Sequence, residues 1–360
     1  FITACGGAPP SANKAEKHLE RGEFARANEI ADAELARYPK HPSLWHVKIK
    51  AALGQGDNRT AISTYEKWKT QREGLEDESA LRTIATAVLW QGLNVPSPDI
   101  RVAAIQAIER LELERLGRDV TELIGSSDNV VAAAASIAVL RSHPQAPEVA
   151  TAMLTSREPR ARAIVIEGLG RKVGALARDD ITRGLSDKDA RVRRAAVGAL
   201  AKIEEDADTD ALVAAAGSDS DGRVRARALR ALARGKRLQV VDVAARALED
   251  DYLGAQLAAV EYLRTRAGDM GSGHLVRALA SKNPIVAIRA SVALFTLGKG
   301  DGREVLARAL DAKSWTVRAS AVNALAQAMP KNEALRLAGA ALTDRRIQVR
   351  LAAARTLMAL

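Results

Sequence analysis

The chain has 360 residues, and its 54 Lys and Arg residues against 44 Asp and Glu residues give a net charge of +10. After residue 5 there is no apolar run of about twenty residues, the length that crosses a bilayer, so no membrane-spanning helix is expected there. Aromatic residues make up only 3% of the chain, which leaves little material for stacking nucleic-acid bases.

The first residues predict a lipid anchor. Ile2, Thr3, Ala4 and Cys5 follow the order aliphatic, small, small, Cys, and Cys5 is the only cysteine in the chain. This order resembles the lipobox of bacterial lipoproteins, in which a signal peptide is cleaved before a Cys whose sulfur then receives a lipid. The chain begins at Phe1 rather than Met, so an apolar segment is expected upstream. The resemblance implies a lipid-attachment site at Cys5.

The residue after Cys5 and the segment that follows extend this interpretation. Asp, which favours inner-membrane retention in many such lipoproteins, does not follow Cys5, so the resemblance implies periplasmic anchoring in the outer membrane. Residues 6–12 are small residues and prolines, and we assign residues 1–13 to the lipobox and a flexible tether. The alternative is an incidental cysteine in a disordered terminus.

Residues 14–95 repeat with a period of 34 residues. Ala27 and Ala61 are separated by this distance, and Pro39 stands twelve residues after Ala27. Together with the position of Trp45, this spacing resembles two tetratricopeptide repeats, each a pair of antiparallel helices. The resemblance implies a helical module that binds protein segments.

A further helix is predicted to cap this module. It runs from about Glu76 to Gln91, and the Gly- and Pro-containing stretch from Gly92 to Pro98 is predicted to end it.

Residues 96–360 carry a shorter repeat, with successive copies 29 to 32 residues apart. We call the first residue of each copy the anchor, and the anchors are Ile100, Ala132, Ala161, Val192, Val224, Ala255, Val286, Val317 and Val349. The residues five and eight positions after each anchor are apolar, except after Val286, where the apolar Val292 stands six positions on, so the three positions form one stripe along a helix. A second apolar segment follows in most units. Each unit is therefore predicted to be two antiparallel helices that bury their stripes only by stacking on neighbours.

The shorter repeat resembles the HEAT family, in the bacterial form often called PBS-lyase HEAT-like. It shares an acidic turn, an Arg after the anchor and an Ala-rich helix that ends in Leu. The Arg residues at this position are Arg101, Arg162, Arg193, Arg225, Arg318 and Arg350. The resemblance implies that each Arg pairs with a turn Asp of its own or a neighbouring unit. The predicted fold class is all-α: an α-solenoid superhelix of two tetratricopeptide-like and about nine HEAT-like repeats.

One helix of this solenoid carries a candidate docking patch. Arg223, Arg227, Arg230 and Arg234 are spaced so that all four lie on one polar face. One interpretation is a solvated face neutralised by nearby acidic residues. The other is a patch that binds an acidic protein, a lipid phosphate or a polysaccharide. The candidate neutralising residues are Glu204, Glu205, Asp206, Asp208 and Asp210.

No residue pattern predicts catalysis. The five histidines lack a metal-ligand spacing, and the Gly-rich stretch Gly298–Gly302 connects two helices rather than following a strand, as a phosphate-binding loop does. We therefore expect no enzymatic activity, no metal and no cofactor. HEAT-like folds do include DNA glycosylases, so the fold class alone leaves chemistry open.

The favoured function is a non-enzymatic, lipid-anchored periplasmic scaffold that binds protein partners of an envelope complex, in secretion, motility or assembly. The alternative is a cytoplasmic HEAT-repeat protein that binds nucleic acid or another acidic partner through a basic face. The end of the last helix is apolar, so we expect the natural chain to continue beyond Leu360 or another subunit to cover this end. Its apolar residues are Ile347, Leu351, Leu357, Met358 and Leu360.

Overall fold

A computed structural model describes residues 10–203, 209–234, 240–300 and 302–360, and every regular element in these residues is helical. The chain forms two compact units, Phe1–Ala150 and Thr151–Leu360. The predicted all-α solenoid fold is confirmed. The helices of the first unit are α1 (Pro10–Glu20), α2 (Phe24–Leu35), α3 (Pro42–Gly54), α4 (Asn58–Gln71), α5 (Glu78–Asn94), α6 (Pro98–Arg110), α7 (Gly117–Glu122) and α8 (Asn129–Ala138).

Helix α9 (Ala146–Met153) contains the point of division between the two units. The helices of the second unit are α10 (Pro159–Lys172), α11 (Arg178–Arg183), α12 (Ala190–Ile203), α13 (Thr209–Ser218), α14 (Gly222–Arg234), α15 (Val241–Ala247), α16 (Leu253–Tyr262), α17 (Gly268–Ala278), α18 (Pro284–Thr296), α19 (Arg303–Leu310), α20 (Trp315–Ala328), α21 (Lys331–Ala341) and α22 (Ile347–Ala359). Short 3₁₀ turns flank α7 and α11, and a π-helical turn, Leu263–Ala267, joins α16 to α17.

The 34-residue period of the first unit corresponds to equivalent buried positions. Ala27 on α2 and Ala61 on α4 are both fully buried where successive helices meet. The predicted tether through residue 13 is too long, because α1 begins at Pro10 and Ala12 is buried beside Leu35. Small residues at this position suit close helix packing as well as a flexible segment, so composition alone was misleading here.

The capping helix of the first unit is longer than predicted. Gly92 lies inside α5 instead of ending it. Its missing side chain lets α6 approach closely, since a Cβ on Gly92 would lie 3.0 Å from the Cβ of Ala104. The chain leaves the helix at Val95, whose extended backbone is the conformation that a following Pro favours.

One carboxylate joins three helices of the first unit. Asp77 caps α5, with its Oδ1 accepting a hydrogen bond from the Ala80 backbone N at 3.1 Å. Its Oδ2 accepts from Trp68 Nε1 on α4 at 2.8 Å and lies 2.9 Å from His46 Nε2 on α3. Burial acts to raise the pKa of Asp77, but the hydrogen bonds from Trp68 and His46 hold it well below its ordinary value. The side chain therefore stays ionised and fixes α5 against the preceding hairpin.

The HEAT-like stripe is buried as predicted in all but three positions. The anchors fall on α6, α8 and each even-numbered helix to α22, and the odd-numbered helices between them are the predicted second helices. Ile100 is 51% exposed, because it follows the Pro-containing turn after α5 rather than the second helix of an earlier unit, and Val102 is buried instead. Ala354 and Leu357 on α22 are also incompletely buried, since no described helix follows α22.

The Arg after the anchor forms an ion pair with the turn Asp of the next unit. Arg193 donates from Nε and Nη2 to the two carboxylate oxygens of Asp219, both at 2.8 Å, and from Nη1 to the carbonyl O of Asp187 at 2.9 Å. Asp219 Oδ1 also accepts from the backbone N of Asp221 at 2.8 Å. Burial acts to raise the pKa of Asp219, but the hydrogen bonds from Arg193 lower it overall. We call this arrangement a rung.

Three further rungs repeat this geometry, with side-chain nitrogen–oxygen distances of 2.7 to 2.9 Å. They are Arg162 with Asp187, Arg225 with Asp250, and Arg318 with Asp344. The predicted pairing is thus confirmed for four of the six arginines, with the partner in the neighbouring unit. It is wrong for Arg350, which among the described residues donates only to the backbone carbonyl O of Asp344, at 2.8 Å. Gln256 and Ala287 occupy the Arg position between the third and fourth rungs. Gln256 keeps only the backbone part of the arrangement, donating to the carbonyl O of Asp250 at 2.6 Å.

In the first unit the corresponding rung is incomplete. The position opposite Arg101 holds Ser126, whose Oγ accepts from the backbone N of Asp128 at 3.2 Å, as the rung Asp does elsewhere. The buried Nε of Arg101 has no hydrogen-bond partner among the described residues. Asp128 caps the start of α8 as Asp189 caps the start of α12. The anchor Val192 stands three residues after Asp189, so the anchor of this repeat is Val131, three residues after Asp128, rather than Ala132.

Completing this rung should stabilise the protein. Ser126→Asp places a carboxylate opposite a guanidinium that is already positioned, so we expect a gain of ~1–2 kcal/mol and a melting temperature higher by a few degrees. Ser281→Asp is the matched control, because Ser281 also accepts a backbone hydrogen bond two residues on but faces Gln256 instead of Arg. An equal gain in both variants, measured by thermal unfolding, would show that the ion pair contributes nothing.

The rungs also predict how stability depends on pH. The hydrogen bonds from Arg318 hold the pKa of Asp344 at about 2 in the folded protein, below the ordinary value near ~3.9. A carboxyl with a lowered folded-state pKa contributes stability above its unfolded pKa and loses it as pH falls through the folded value. The difference in melting temperature between wild type and Asp344→Asn should therefore be full at neutral pH and shrink between about pH 4 and pH 2. A difference that is independent of pH would contradict this assignment.

Candidate functional site

Helix α14 places the four predicted arginines on one face. Val224, Leu229 and Leu232 point into the core of the second unit, which leaves the opposite side of the helix to the basic residues. The side chains of Arg223, Arg230 and Arg234 are exposed, and Arg227 is half-buried. The predicted common face is therefore present.

The neighbouring helix α12 contributes two cations that the sequence analysis missed. Arg194 and Lys202 line the same groove, which has a volume of about 470 Å³ and lies between α12 and α14. Alanines and Tyr252 also line the groove. We call it the basic groove, and its cations are Arg194, Lys202, Arg223, Arg227, Arg230 and Arg234.

A glycine on α12 makes room for one of these cations. A Cβ on Gly198 would overlap the guanidinium of Arg227, with Nη2, Cζ and Nε as the three nearest atoms. The guanidinium therefore lies directly against the backbone of α12. It is held over the groove and not free in solvent.

The wall formed by Tyr252 depends on two glycines and a rung. Cβ atoms on Gly222 and Gly254 would both overlap Tyr252, so the ring fits only because these positions lack side chains. The backbone N of Tyr252 donates to Asp250 Oδ1 at 2.8 Å, and Arg225 holds that carboxylate. The rung between Arg225 and Asp250 thus sets the position of Tyr252.

The far end of α14 is capped by another arginine. Arg266, in the π-helical turn after α16, donates from Nε to the carbonyl O of Ala233 at 2.6 Å and from Nη2 to that of Arg234 at 2.8 Å. These bonds satisfy carbonyls that a helix end leaves open and bring a positive charge to the negative end of the helix. Arg266 therefore fixes the end of the helix that carries Arg234.

The basic groove is not neutralised by the described residues. None of its six cations forms an ion pair with a carboxylate there, and Arg230 makes only a 3.4 Å contact with the carbonyl O of Gly254. Asp210 is exposed and pairs with none of them. The other predicted neutralising residues, Glu204, Glu205, Asp206 and Asp208, lie outside the described residues. Neutralisation by that stretch stays a prediction.

A second groove, in the first unit, was not predicted. It has a volume of about 1490 Å³ and is lined by α3, α5 and the segment after α6. Trp90 and Leu111 expose 45% and 59% of their surface, and Trp90 Nε1 donates to Asp119 Oδ1 at 2.9 Å. Arg72, Arg82 and Arg115 lie in the same lining. Glu76, Asp77 and Glu78 line it as well, so the groove offers apolar contacts and charged contacts of both signs.

The other predicted site residues cannot be placed. Cys5, Ile2, Thr3 and Ala4 lie outside the described residues. Within the described ranges, no group of three or more His, Cys, Asp or Glu side chains is arranged to hold a metal ion. No helix in these ranges is both long and apolar enough to cross a membrane.

Comparison with known proteins supports the repeat assignment. Residues 146–233 match the family described as HEAT repeats, whereas no curated protein sequence matches the chain. Among solved structures, Escherichia coli YibA is similar, with 18% identity and a TM-score of 0.47 over 71% of this chain and 96% of that protein.

Two larger proteins are also similar. Importin beta has 14% identity and a TM-score of 0.48, over 98% of this chain and 54% of that protein. Kap121p bound to Nup53p has 12% identity and a TM-score of 0.45, over 97% and 49%. The chain thus spans about half the length of these two proteins. These likenesses concern the fold. The HEAT resemblance is confirmed for the matched residues, and the tetratricopeptide and lipoprotein resemblances stay predictions.

Proposed function

We propose that the protein is a non-enzymatic, lipid-anchored periplasmic scaffold that binds protein partners of an envelope complex, in secretion, motility or assembly. The observation that carries the protein-binding part is the groove of the first unit. It is large and open, and it exposes Trp90 and Leu111 beside Arg82 and Arg115. A protein segment supplies apolar and charged side chains together, and aromatic and Arg side chains dominate the energetics of protein interfaces.

The repeat architecture supports the same proposal. Successive helices bury their stripes against each other, and the ion pairs of the second unit fix the turns between them. The surfaces of such a stack are preorganised, so a partner does not have to order them on binding. Preorganised surfaces built from many repeats are well suited to holding extended segments.

The anchoring part of the proposal rests on the lipobox-like residues Ile2 to Cys5. A lipoprotein Cys carries two or more acyl chains, and two chains are enough for stable membrane attachment. A repeat protein attached in this way would hold its partners at the inner face of the outer membrane.

Metabolic labelling tests the anchor. When the full open reading frame is expressed in bacteria fed an alkynyl fatty acid, the wild type should be labelled and should sediment with membranes. Cys5→Ser should be unlabelled and soluble. The double variant Cys5→Ser, Ser11→Cys is the matched control: it keeps one cysteine but moves it out of the lipobox, and it should also be unlabelled. An unlabelled wild type, or labelling that follows the moved cysteine, would refute the lipoprotein assignment.

The protein-binding part is tested separately by site-specific crosslinking in cells. A photo-crosslinking residue at Trp90 should give defined protein adducts, whereas the same residue at the exposed Leu176, outside both grooves, should not. Equal crosslinking at both positions would mean that the groove of the first unit is not a binding surface.

The basic groove also suits the alternative, a cytoplasmic protein that binds nucleic acid through a basic face. Its cations could contact phosphates as readily as carboxylates. The groove has one aromatic ring, Tyr252, for base stacking. The affinities of the groove for an acidic peptide and for an oligonucleotide distinguish the two functions.

A further inference from the structure

We propose that the basic groove binds an extended acidic segment of a partner protein, one rich in Asp or Glu. This inference rests on the proposed protein-binding function and names the chemistry of one partner. It concerns the groove between α12 and α14, which is separate from the groove of the first unit.

The dimensions of the groove fit a peptide backbone. On α14 the cations from Arg223 to Arg234 extend over eleven residues, or ~16 Å of helix, and on α12 Arg194 and Lys202 are ~12 Å apart along the axis. An extended chain of about five residues has the same length. A strand lying between the helices would meet cations on both sides.

The chemistry of the lining fits carboxylates. Five of the six cations are arginines, whose planar guanidinium groups bind carboxylates through two parallel hydrogen bonds. The lining also includes Ala201, Ala226 and Ala231, whose side chains are small enough for a backbone to approach closely. Successive acidic side chains of a strand point to opposite sides, where the two rows of cations lie.

Among the described residues, these arginines are available to a partner. Arg193 and Arg225, on the same two helices, are fully engaged by Asp219 and Asp250. The groove arginines have no such partners in the described residues, and like charges at this helical spacing repel one another. An acidic segment would relieve this repulsion, and the fixed guanidinium of Arg227 would lose little freedom on binding.

Other polyanions fit less well. Nucleic acid binding without sequence preference combines a basic channel with several stacked aromatic rings, but this groove provides only Tyr252. A bilayer presents a flat surface of head groups, whereas these cations line a cleft between two helices. An acidic polypeptide is the polyanion narrow enough to enter the cleft with its charges on both sides.

Fluorescence anisotropy with defined probes tests the proposal. The first probe is a labelled peptide of ten consecutive Glu residues, which presents carboxylates on both sides of an extended chain, and the second replaces every Glu by Gln. The 360-residue chain should bind the Glu peptide at least tenfold more tightly than the Gln peptide, because each charge-assisted hydrogen bond contributes ~1.5–3 kcal/mol. Higher salt should weaken the binding.

Three variants locate the binding. Arg227→Ala should weaken binding of the Glu peptide by about tenfold, the effect of one lost charge-assisted contact. Gly198→Ala should weaken it similarly without changing any charge, since the new Cβ displaces the Arg227 guanidinium. Arg246→Ala is the control: this exposed Arg lies on α15, outside the groove, and carries the same charge change. It should leave the affinity unchanged.

Folding is checked by thermal unfolding. The added Cβ of Gly198→Ala displaces only the end of the flexible Arg227 side chain, and Ala has a higher helix propensity than Gly. The melting temperature of this variant should therefore not fall. Loss of binding with an unchanged melting temperature would therefore report on the groove.

Several results would overturn the proposal. Equal binding of the Glu and Gln peptides would mean that the carboxylates contribute nothing to binding. An equal loss in Arg246→Ala and Arg227→Ala would mean that the net charge of the protein is responsible and not the basic groove. Tighter, Arg227-dependent binding of an oligothymidylate or of phosphatidylglycerol vesicles would make nucleic acid or lipid the ligand. These failures would leave the crosslinks at Trp90 intact, whereas failure of the scaffold function would remove those crosslinks whatever the groove binds.

Discussion

The geometry of the second compact unit, Thr151–Leu360, depends on the rung between the arginine of one repeat and the turn aspartate of the next repeat. Each guanidinium donates to two carboxylate oxygens ahead of it and to a backbone carbonyl of its own turn, and each carboxylate also holds the N-terminal turn of the next helix. One side chain thus fixes the offset between neighbouring units. A change at one rung shifts the start of the following helix and everything that this helix presents.

The rungs specify geometry, while the apolar stripes supply most of the stability. Removing charges from water costs nearly as much as their attraction returns, so a buried ion pair is a weak source of net stability but is costly to break. The interruption at Gln256 and Ala287 is consistent with this division, because Ala255, Val286 and Val317 remain buried where no rung is present. Stacking continues there through the apolar positions alone.

The rungs also explain why the basic groove lies where it does. Asp219 and its backbone partner Asp221 set the start of α14, and Asp250 sets the turn that carries Tyr252. Arg193 and Arg225 are engaged in ion pairs with the next repeat. Arg227 and Arg230, three and six positions after the anchor Val224, remain on the surface of α14. The same repeat therefore makes a rigid frame from one arginine and a ligand-facing row from others.

Much of this could be predicted from the sequence. Periodic apolar positions identified the first helix of every HEAT-like unit and the second helix of most units, because this pattern follows from the regularity of a single repeat. The HEAT resemblance implied the rungs but left open whether the Asp belongs to the same or to a neighbouring unit. Arg194, Lys202 and Tyr252 were missed, since whether residues of neighbouring repeats converge depends on the offset between helices, which no single repeat encodes. Ile100 and Gly92 were misjudged at the junction between repeat types, where the rules of neither repeat hold.

The groove of the first unit shows the same limit. Trp90 lies on α5 and Leu111 directly follows α6, and the two line the same groove only after the helices pack. Likewise, His46 contacts Asp77, a carboxylate 31 residues away in the sequence, and no local pattern indicates this contact.

A double-mutant cycle on Arg193 and Asp219 tests the central claim most directly. The free energies of unfolding of wild type, Arg193→Ala, Asp219→Ala and the double variant give the coupling between the two side chains. If the rung fixes the frame, the coupling should be ~1.5–3 kcal/mol, with each single variant nearly as damaging as both together. Coupling below ~0.5 kcal/mol, with additive losses, would mean that the two residues act independently and that apolar stacking alone sets the geometry of the repeats.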